Sequence, residues 1–448
     1  MKRLFEITKP MFLCVRKITS NEFIQHNKMP KFLFQNLFLF FIFTFATAQE
    51  VQREVIPPYN IKTVSFVQNG NNVVPIFELG STFELQFDDL FGNEANYYFD
   101  ITHCDYNWKP TDIPKTDFIR GFDNQRITDY VNSFNTLQVY SHYRLAFPNQ
   151  FTTQLRLSGN YILKILNEDK EVVFSRKFIL YEEHSTVAAQ VKRSRNLSNI
   201  DYMQNLEFTV LSNDIAFQTP LQNVRVLLLQ NGDFNTAIKN IPPQYTIGNQ
   251  LVYKYGQETL FWGGNEFLYF ENKDIRAANN NVGKVGSNND IYNSYLYTNA
   301  ARANQIYTNY EDVNGNFVVK NINGSNNEIE ADYAWVYFTL SAPTFRSNIK
   351  DIYVTGMFNN YSLSPENKMD YNQDKGVFEK AIMIKQGFTN FQYKIADKNG
   401  IVDYENAIDG NFYQTENEYT ILVYYKQSSD RYERVIGKGN ANSINITN

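Results

Sequence analysis

The stretch SGNYILKIL at residues 158–166 decides how the rest of the chain is interpreted. Gly159 supplies a turn residue, and Tyr161 opens the run YILKIL, in which Lys164 is the one polar residue. A short run of this kind, rich in aromatic and β-branched or apolar residues and preceded by a turn residue, is typical of a β-strand. The stretch therefore predicts a glycine turn followed by a strand that begins with tyrosine.

The same pattern recurs along the chain. Aromatic residues make up 16% of the sequence, with 37 Phe and 31 Tyr, and turn residues separate the apolar runs. No stretch keeps the 3.6-residue period of an amphipathic helix for three turns. We therefore predict an all-β protein. Strands are predicted at residues 81–89, 95–103, 161–166, 172–181, 205–211, 224–232, 334–341, 351–358, 378–385 and 390–397.

The predicted fold is a tandem of immunoglobulin-like or early-set β-sandwich domains. Gly159 and Tyr161 resemble the turn and the tyrosine found near a late strand of an immunoglobulin-like sandwich. A first domain is therefore expected over 49–184. A second β-sandwich domain is expected over 185–342. Its Asn- and Tyr-rich insertion at 276–330 is either a folded unit or a mobile surface segment.

Pro343 marks the expected entry into a third domain. This early-set immunoglobulin-like domain is predicted over 343–435. The remaining residues, 436–448, are rich in Gly and Asn and are expected to form a disordered tail.

The start of the chain has the pattern of an export signal. Residues 29–48 contain a lysine, an apolar run from Leu37 to Phe45 and a small-residue cleavage site, so they are predicted to be a signal peptide. Residues 1–28 are interpreted as a miscalled upstream start. A membrane anchor is the competing interpretation, but the apolar run is well short of the roughly 18 residues that span a bilayer.

Charge and composition exclude several function classes. The formal net charge is −5, and residues 49–448 keep 35 Lys and Arg against 45 Asp and Glu, so their net charge is about −10. Binding of nucleic acid or of an anionic membrane needs clustered Lys and Arg, which this sequence lacks. No later apolar segment could span a bilayer. We expect no nucleic-acid partner, no direct membrane insertion, no cofactor and no small-molecule ligand.

Three residues of reactive types, His103, Cys104 and Asp105, are consecutive in the sequence. They could form a catalytic or metal site, or they could be structural. On a strand, His103 and Cys104 point to opposite faces, so they cannot converge on one atom without a bulge. A remote base such as His142 or His184 stays formally open as a partner for the thiol. A lone cysteine is more often a small core residue, and that is the prediction here.

Other catalytic and metal patterns are absent from the sequence. It has no GxSxG, no glycine-rich phosphate loop and no HExxH, and its histidines lack zinc-ligand spacing. We therefore predict no catalytic residue, no metal site and no enzymatic activity.

The third block resembles a known class of binding module. IYVTGMFNNYSL (352–363) and the segment 376–397 are similar to early-set modules that bind glycogen or starch. In those modules a tryptophan stacks on sugar rings, and here that position is Tyr361. Phe358 and Tyr361 would bind a glycan if this were a secreted carbohydrate-binding or surface β-sandwich protein. A structural or protein-docking module is the favoured interpretation.

The first block has the more specific resemblance. The segments FDDLFGNEANYYFDITHCDYNWKPTD (87–112), 118–149 and LSGNYILKI (157–165) resemble the N-terminal domain of type IX secretion system plug proteins of Bacteroidetes. The similarity continues through VRVLLLQNGDFNTAI (224–238) and GNEFLYF (264–270) into the third block.

This resemblance implies a function without chemistry. The protein would lie in the periplasm, docked to the outer-membrane secretion translocon, and would close its barrel through non-covalent protein contact. Aromatic residues are enriched at such interfaces, with burial in a core as the alternative for each. On composition alone, the candidates for this contact are Tyr106, Trp108, Tyr292, Tyr295 and Tyr297.

Overall fold

The computed structural model of the chain describes residues 50–345, 347 and 349–446. The expected signal peptide and the residues before it lie outside this part. The strands, in chain order, are β1 (Ile61–Gln68), β2 (Asn71–Asn72), β3 (Ile76–Glu78), β4 (Phe83–Asp89), β5 (Tyr98–Cys104), β6 (Ile119–Gly121), β7 (Asp129–Asn132), β8 (Ser141–Phe147), β9 (Thr152–Leu155), β10 (Gly159–Leu166), β11 (Val172–Tyr181), β12 (Ser185–Arg193), β13 (Met203–Ser212), β14 (Val224–Gln230), β15 (Asp233–Lys239), β16 (Tyr245–Ile247), β17 (Gln250–Tyr253), β18 (Leu260–Trp262), β19 (Leu268–Glu271), β20 (Val282–Ser287), β21 (Tyr292–Leu296), β22 (Asn299–Ala300), β23 (Phe317–Val319), β24 (Tyr333–Ser341), β25 (Lys350–Thr355), β26 (Asp370–Asn372), β27 (Val377–Lys385), β28 (Gly387–Asp397), β29 (Glu418–Tyr425) and β30 (Arg434–Asn442).

Helical structure in the described residues is limited to single turns. They are α1 (Lys115–Phe118), α2 (Pro220–Asn223), α3 (Asn327–Glu330) and a 3-10 turn (Met357–Asn359). The protein is thus all-β, as predicted, and its sheets pair into three β-sandwiches.

The first sandwich contains strands β1 to β11. One sheet has the order β2-β1-β4-β8-β7 and the other β3-β11-β10-β5, with β6 and β9 as a separate pair. The core between them combines Leu85 and Phe87 of the first sheet with Phe99 and Phe178 of the second. Tyr161 is fully buried, and its hydroxyl donates a hydrogen bond to the carbonyl of Leu157 at 2.7 Å. This is the tyrosine contact expected of an immunoglobulin-like sandwich.

The second sandwich combines two distant parts of the chain. One sheet has the order β12-β13-β17-β16, with β18 also paired to β13, and the other β15-β14-β29-β30. Strand β14 pairs antiparallel with β29, for example Val226 with Val423. The core contains Phe208 and Tyr253 from one sheet and Val226 and Ile421 from the other.

The third sandwich is formed by the chain between β18 and β29. One sheet has the order β19-β28-β23, with β25 also paired to β28, and the other β20-β21-β24-β27-β26, with β22 also paired to β24. Phe270 and Phe391 pack against Phe338 in the core. The Asn- and Tyr-rich passage 276–330 supplies four strands to this sandwich, so it is a part of the fold.

The sheets correct two expectations about domain limits. The boundary expected at residue 343 falls inside the third sandwich, because β24 before it pairs with β27 after it. The expected disordered tail does not fit residues 436–442, which belong to β30 and pair with β29. Gly437 and Gly439 allow this polar strand to pack closely on β12, where a Cβ atom would lie 2.1 Å from Ser185 Oγ and 2.5 Å from Val187 Cγ1.

Candidate functional site

His103 and Cys104 are consecutive residues of strand β5, and their side chains point to opposite faces of it, as predicted. The His103 ring packs on Tyr161 in the first sandwich, with ring centroids 4.9 Å apart. Cys104 faces the opposite side and belongs to a different apolar cluster. The two side chains therefore do not form a common site.

Both groups are held in their neutral forms by burial. Desolvation lowers the pKa of His103 to about 4 and raises the pKa of the Cys104 thiol to about 12. His103 Nε2 donates to the carbonyl of Ser158 at 3.2 Å, so Nδ1 accepts from Thr111 Oγ1 at 2.8 Å. A buried, protonated thiol is a poor nucleophile, which argues for a structural role of this stretch.

The turn after β5 presents Tyr106 and Trp108 to the second sandwich. The Asp105 carboxylate accepts hydrogen bonds from the backbone N–H groups of Asn107 and Lys109, at 2.8 and 2.9 Å. Trp108 adopts a positive φ of 64° within this turn. The turn thus directs the side chains of Tyr106 and Trp108 away from the core of the first sandwich.

Tyr106 and Trp108 are buried between two sandwiches. They pack in one cluster with Cys104 and with Leu227 and Tyr424 of the second sandwich. The Tyr106 hydroxyl donates to the carbonyl of Val226 at 2.6 Å. The interpretation of these two residues as docking candidates does not fit this burial, since both are used to join parts of the same chain.

A buried polar cluster joins the first and third sandwiches. Asp88 of β4 accepts hydrogen bonds from His142 Nδ1 at 2.6 Å, from Lys385 Nζ at 2.7 Å and from the Tyr333 hydroxyl at 2.6 Å. Burial alone would raise the pKa of Asp88, but Lys385 and His142 hold it below its usual range. Such a cluster fixes one relative position of its partners, because any displacement leaves a charge buried and unpaired.

The glycan-binding candidates are occupied by contacts within the chain. Tyr361 is buried, its hydroxyl donates to the carbonyl of Asn231 at 3.2 Å, and Lys394 Nζ lies 4.9 Å from its ring centroid. Phe358 packs against the core of the third sandwich. Tyr361 therefore cannot offer a flat face to a sugar ring in this structure.

The third sandwich has exposed tyrosines, unlike the buried Tyr106 and Tyr361. Tyr295 of strand β21 is 37% exposed, and Tyr297, just beyond the strand, is 63% exposed. Tyr292 opens the same strand, is half-buried and lies on the opposite face, with Ser294 and Leu296. Tyr295 stacks on Tyr337 of β24, with ring centroids 4.4 Å apart. We call Tyr295, Tyr297 and Tyr337 the tyrosine face. Two of the five predicted interface candidates, Tyr295 and Tyr297, are thus exposed here, whereas Tyr292 is not on this face.

Sequence reasoning missed a second surface. Two neighbouring loops, 90–92 and 133–140, carry four apolar side chains with large exposed areas, and the Phe91 and Phe134 side chains are 65% and 66% exposed. We call these residues the apolar loop patch: Phe91, Phe134, Leu137 and Val139. The signal that could have found it is the run SFNTLQV (133–139), where apolar residues interrupt a polar loop.

The third sandwich holds the apolar loop patch in place. The Asp332 carboxylate accepts hydrogen bonds from the backbone N–H groups of Leu137 and Gln138, at 2.5 and 3.1 Å. The Tyr140 hydroxyl donates to the carbonyl of Ala331 at 2.8 Å. Exposed apolar side chains on a fixed backbone are typical of a protein-binding surface.

Two further observations bear on other functions. Among the described residues, no group of three or more His, Cys, Asp and Glu side chains is arranged to hold a metal ion. Within the same part of the chain, no helix has the length and apolar character needed to cross a membrane.

Fold and surface together define a three-sandwich β protein with extensive buried contacts between its sandwiches. Residues 61–182 match the family model described as the type 9 secretion system plug protein 1st domain. Residues 61–182 therefore carry the first domain of this plug family, which supports a role related to the type IX secretion system. No curated protein matches the sequence.

Solved structures extend the similarity beyond the first domain. A protein of Parabacteroides merdae, described as hypothetical, is 28% identical with a TM-score of 0.83, and the match covers 88% of this chain and 100% of that chain. A BSP domain of a biofilm-associated protein is 8% identical with a TM-score of 0.16, over 88% of this chain and 61% of that chain. The first similarity extends across all three sandwiches, whereas nothing follows from the second.

Proposed function

We propose that this protein closes the translocon barrel of the type IX secretion system from the periplasmic side, without catalysing a reaction. The observation that carries the proposal is the match of residues 61–182 to the first domain of plug proteins. The proposed location is the periplasm, and the proposed partner is the outer-membrane barrel protein of the translocon.

The physical need for such a protein follows from the size of the pore. Transmembrane barrels reach about 36 strands in the largest known case, and large barrels enclose a water-filled lumen. An open lumen of that size would abolish the permeability barrier of the outer membrane. A plug must therefore keep its shape, because a loosely jointed chain would not cover a fixed opening.

The contacts between the sandwiches support this role. The Tyr106 and Trp108 cluster joins the first and second sandwiches, and the Asp88 cluster joins the first and third. The buried pair of Lys394 Nζ and Asp233, 2.5 Å apart, joins the third and second. Each pair of sandwiches is thus fastened by buried contacts, which favours a rigid body.

Two exposed surfaces are the proposed docking sites. The tyrosine face lies on the third sandwich, and the apolar loop patch lies where the first and third sandwiches meet. Aromatic and apolar side chains on a fixed backbone can bury area against a partner with little loss of conformational entropy. The contact needs no covalent link to the barrel.

Site-specific crosslinking tests the proposal. The cysteines introduced by Tyr297→Cys and Val139→Cys would each be the one accessible thiol of the described residues, because Cys104 is buried. A thiol crosslinker applied to intact cells is expected to join at least one of these variants to the barrel protein. Tyr245→Cys is the matched control, since Tyr245 is 57% exposed but lies on strand β16 of the second sandwich.

The possible outcomes distinguish a wrong docking surface from a wrong function. Crosslinks from Tyr245→Cys alone would move the docking surface to the second sandwich and keep the plug role. No crosslink from any of the three variants, combined with no barrel protein in a purification of this chain from solubilised membranes, would contradict the proposed function.

A further inference from the structure

The two connections between the second and third sandwiches run side by side. Residues 263–267 lead from β18 of the second sandwich into the third, and residues 398–417 lead back from β28 to β29. The Gly264 backbone N–H donates to Asn411 Oδ1 at 3.1 Å, and the Gly264 carbonyl accepts from the Phe412 backbone N–H at 2.9 Å. A group that fastens or loosens these two segments therefore acts on the joint between the two sandwiches.

Three carboxyl groups at this joint lie close enough to repel one another. Glu266 belongs to the first connection, Glu416 to the second, and Asp312 to the loop between β22 and β23 of the third sandwich. Glu266 Oε1 accepts a hydrogen bond from the Glu416 backbone N–H at 3.0 Å, and Asp312 Oδ2 accepts from the Phe267 backbone N–H at 2.6 Å. We call Glu266, Asp312 and Glu416 the carboxyl junction.

The carboxyl junction has no cationic partner. Among the described residues, none of its three side chains forms an ion pair, and Glu266 is 1% exposed, with an Oε2 atom that has no hydrogen-bond partner. Arg302 acts on the junction from a distance, because its Nε pairs with Asp409 at 2.8 Å and its Nη2 donates to the Glu266 backbone carbonyl at 2.9 Å. A buried carboxylate without a counter-ion is costly, so the protonated form of Glu266 is favoured.

The hydrogen bonds around Glu266 are complete only with an added proton. The Tyr307 hydroxyl lies within hydrogen-bond distance of two acceptors, Glu266 Oε1 and the carbonyl of Gln414, the latter at 3.1 Å. Burial raises the pKa of Tyr307, so this hydroxyl carries one proton and can donate to only one of them. If Glu266 is protonated, its O–H donates to the Tyr307 oxygen, and the Tyr307 O–H donates to Gln414. That chain joins both connections to the loop between β22 and β23.

We propose that the carboxyl junction is a proton-dependent lock between the second and third sandwiches. A proton on Glu266 fastens the two connections to each other. Loss of that proton leaves carboxylates that repel one another and a Gln414 carbonyl without a donor. The lock is closed in mildly acidic solution and opens in mild alkali. This inference does not depend on the proposed plug role.

The groups that face Glu266 support a transition near neutral pH. Burial raises the pKa of Glu266 to about 7, and the charges of Asp312 and Glu416 add to this rise. The hydrogen bonds from Tyr307 and from the Glu416 backbone N–H oppose it. Burial also raises the pKa of Asp312 to about 6, and Arg302 opposes that rise. Both groups thus ionise at a pH where an ordinary carboxyl group is already charged.

The pH dependence of unfolding tests whether Glu266 carries the proton. A carboxyl group whose pKa is higher in the folded chain keeps a proton that the unfolded chain has released, so stability is lost as pH rises from 4.5 to about 7. Through Glu266, the ratio of folded to unfolded wild type should fall about 100-fold over this range. Glu266→Gln should lack this fall, because its amide is neutral at every pH. Denaturant unfolding at a series of pH values measures the difference.

Glu405→Gln is the matched control. Glu405 lies in the same connection, 398–417, but its side chain is exposed, so this variant should follow the wild-type curve. His103 contributes an opposite slope to all the proteins, and it cancels when a variant is compared with wild type. Glu416→Gln removes one repelling charge and should end the loss of stability at a lower pH, which decides the question if Glu266→Gln does not fold.

Hydrogen exchange reports whether the connections loosen. The exchange rates of backbone N–H groups in 264–267 and 412–417 are divided by the rates of unstructured peptides at the same pH. Wild type should lose protection about tenfold in these two segments between about pH 6 and about pH 8.5, because the segments open locally. Glu266→Gln should keep its protection across the same range.

Two results would overturn the proposal. One is a Glu266→Gln stability curve, or in its place a Glu416→Gln curve, that runs parallel to wild type over the whole pH range. The other is equal protection of the two connections at both pH values in wild type, which would show that a proton bound there does not fasten them.

Discussion

At the scale of single residues, Cys104 has a reactive type of side chain but a structural role. Its side chain is buried against the second sandwich, its Sγ lies 3.9 Å from the carbonyl oxygen of Thr102, and desolvation raises its pKa to about 12. Cys104→Ser should leave secretion intact and reduce the free energy of unfolding by roughly 1–3 kcal/mol, because a hydroxyl is desolvated there. Denaturant unfolding measures the cost.

Thiol labelling gives an independent check on Cys104. In the native protein a thiol reagent should react with it far more slowly than after unfolding, at any pH below about 11, since the thiolate is disfavoured. Rapid labelling of the folded protein, or a folded Cys104→Ser variant without function, would contradict the structural role.

His103 predicts a specific pH dependence of stability. Burial lowers its pKa in the folded protein to about 4 from an ordinary 6.5. The unfolded chain therefore binds a proton that the folded chain does not, so stability falls as pH decreases from about 6.5 to 4. By linkage the loss is about 3 kcal/mol. His103→Gln should flatten this part of the curve, and parallel curves for the two proteins would refute the assignment.

The sequence could predict some of these residue positions and not others. The opposite orientations of His103 and Cys104 follow from the strand period, which is a local property. The burial of Tyr106 does not follow, because its partners Val226 and Tyr424 lie more than a hundred residues away along the chain. Composition cannot distinguish a buried tyrosine from an exposed one such as Tyr297, since both stand in polar surroundings.

At the scale of elements, the turn between β5 and Pro110 acts as a connector between sandwiches. The Tyr106 hydroxyl donates to the carbonyl of Val226 and accepts from the backbone N–H of Asn240 at 3.1 Å. Tyr106→Phe should therefore cost about 1–3 kcal/mol of unfolding free energy, because the buried carbonyl of Val226 loses its donor and the backbone N–H of the exposed Asn240 loses its acceptor. Tyr245→Phe, at an exposed tyrosine of strand β16, should cost almost nothing.

The Tyr106→Phe experiment has a clear contrary result. Equal stability of the two variants in denaturant unfolding would mean that the turn does not couple the first and second sandwiches. The turn would then be a surface feature whose contacts contribute little.

All ten strands predicted from apolar alternation are present, with ends that differ by a few residues. Strands such as β30 were missed, because its sequence RVIGKGNAN is stabilised by backbone pairing and close glycine contacts. Strand β29 pairs with β14, about 190 residues earlier in the chain. Local patterns do not specify such partners, so the order of sandwiches along the chain could not be predicted.

At the scale of the whole molecule, the second sandwich encloses the third in sequence. Its first strands precede β19, and its last two strands follow β28, so both ends of the third sandwich connect to the second. Two covalent connections restrict motion more than one linker would, and the Asp233 and Lys394 pair lies beside them. The tandem order expected from the sequence would have allowed hinges that this topology restricts. A protein that covers a fixed opening must keep its shape, and restricted hinges help it to do so.

The proposed plug role leads to a prediction for the cell. Deleting the gene should leave cargo export possible but make the outer membrane permeable to large antibiotics or dyes, because the barrel lumen would be open to water. The leak should require the translocon, so removing the barrel protein as well should restore the barrier. Dye uptake in the single and double deletion strains measures this. A normal barrier in the single deletion strain, with the translocon assembled, would exclude closure of the barrel as the function, because the pore would then be sealed by something else.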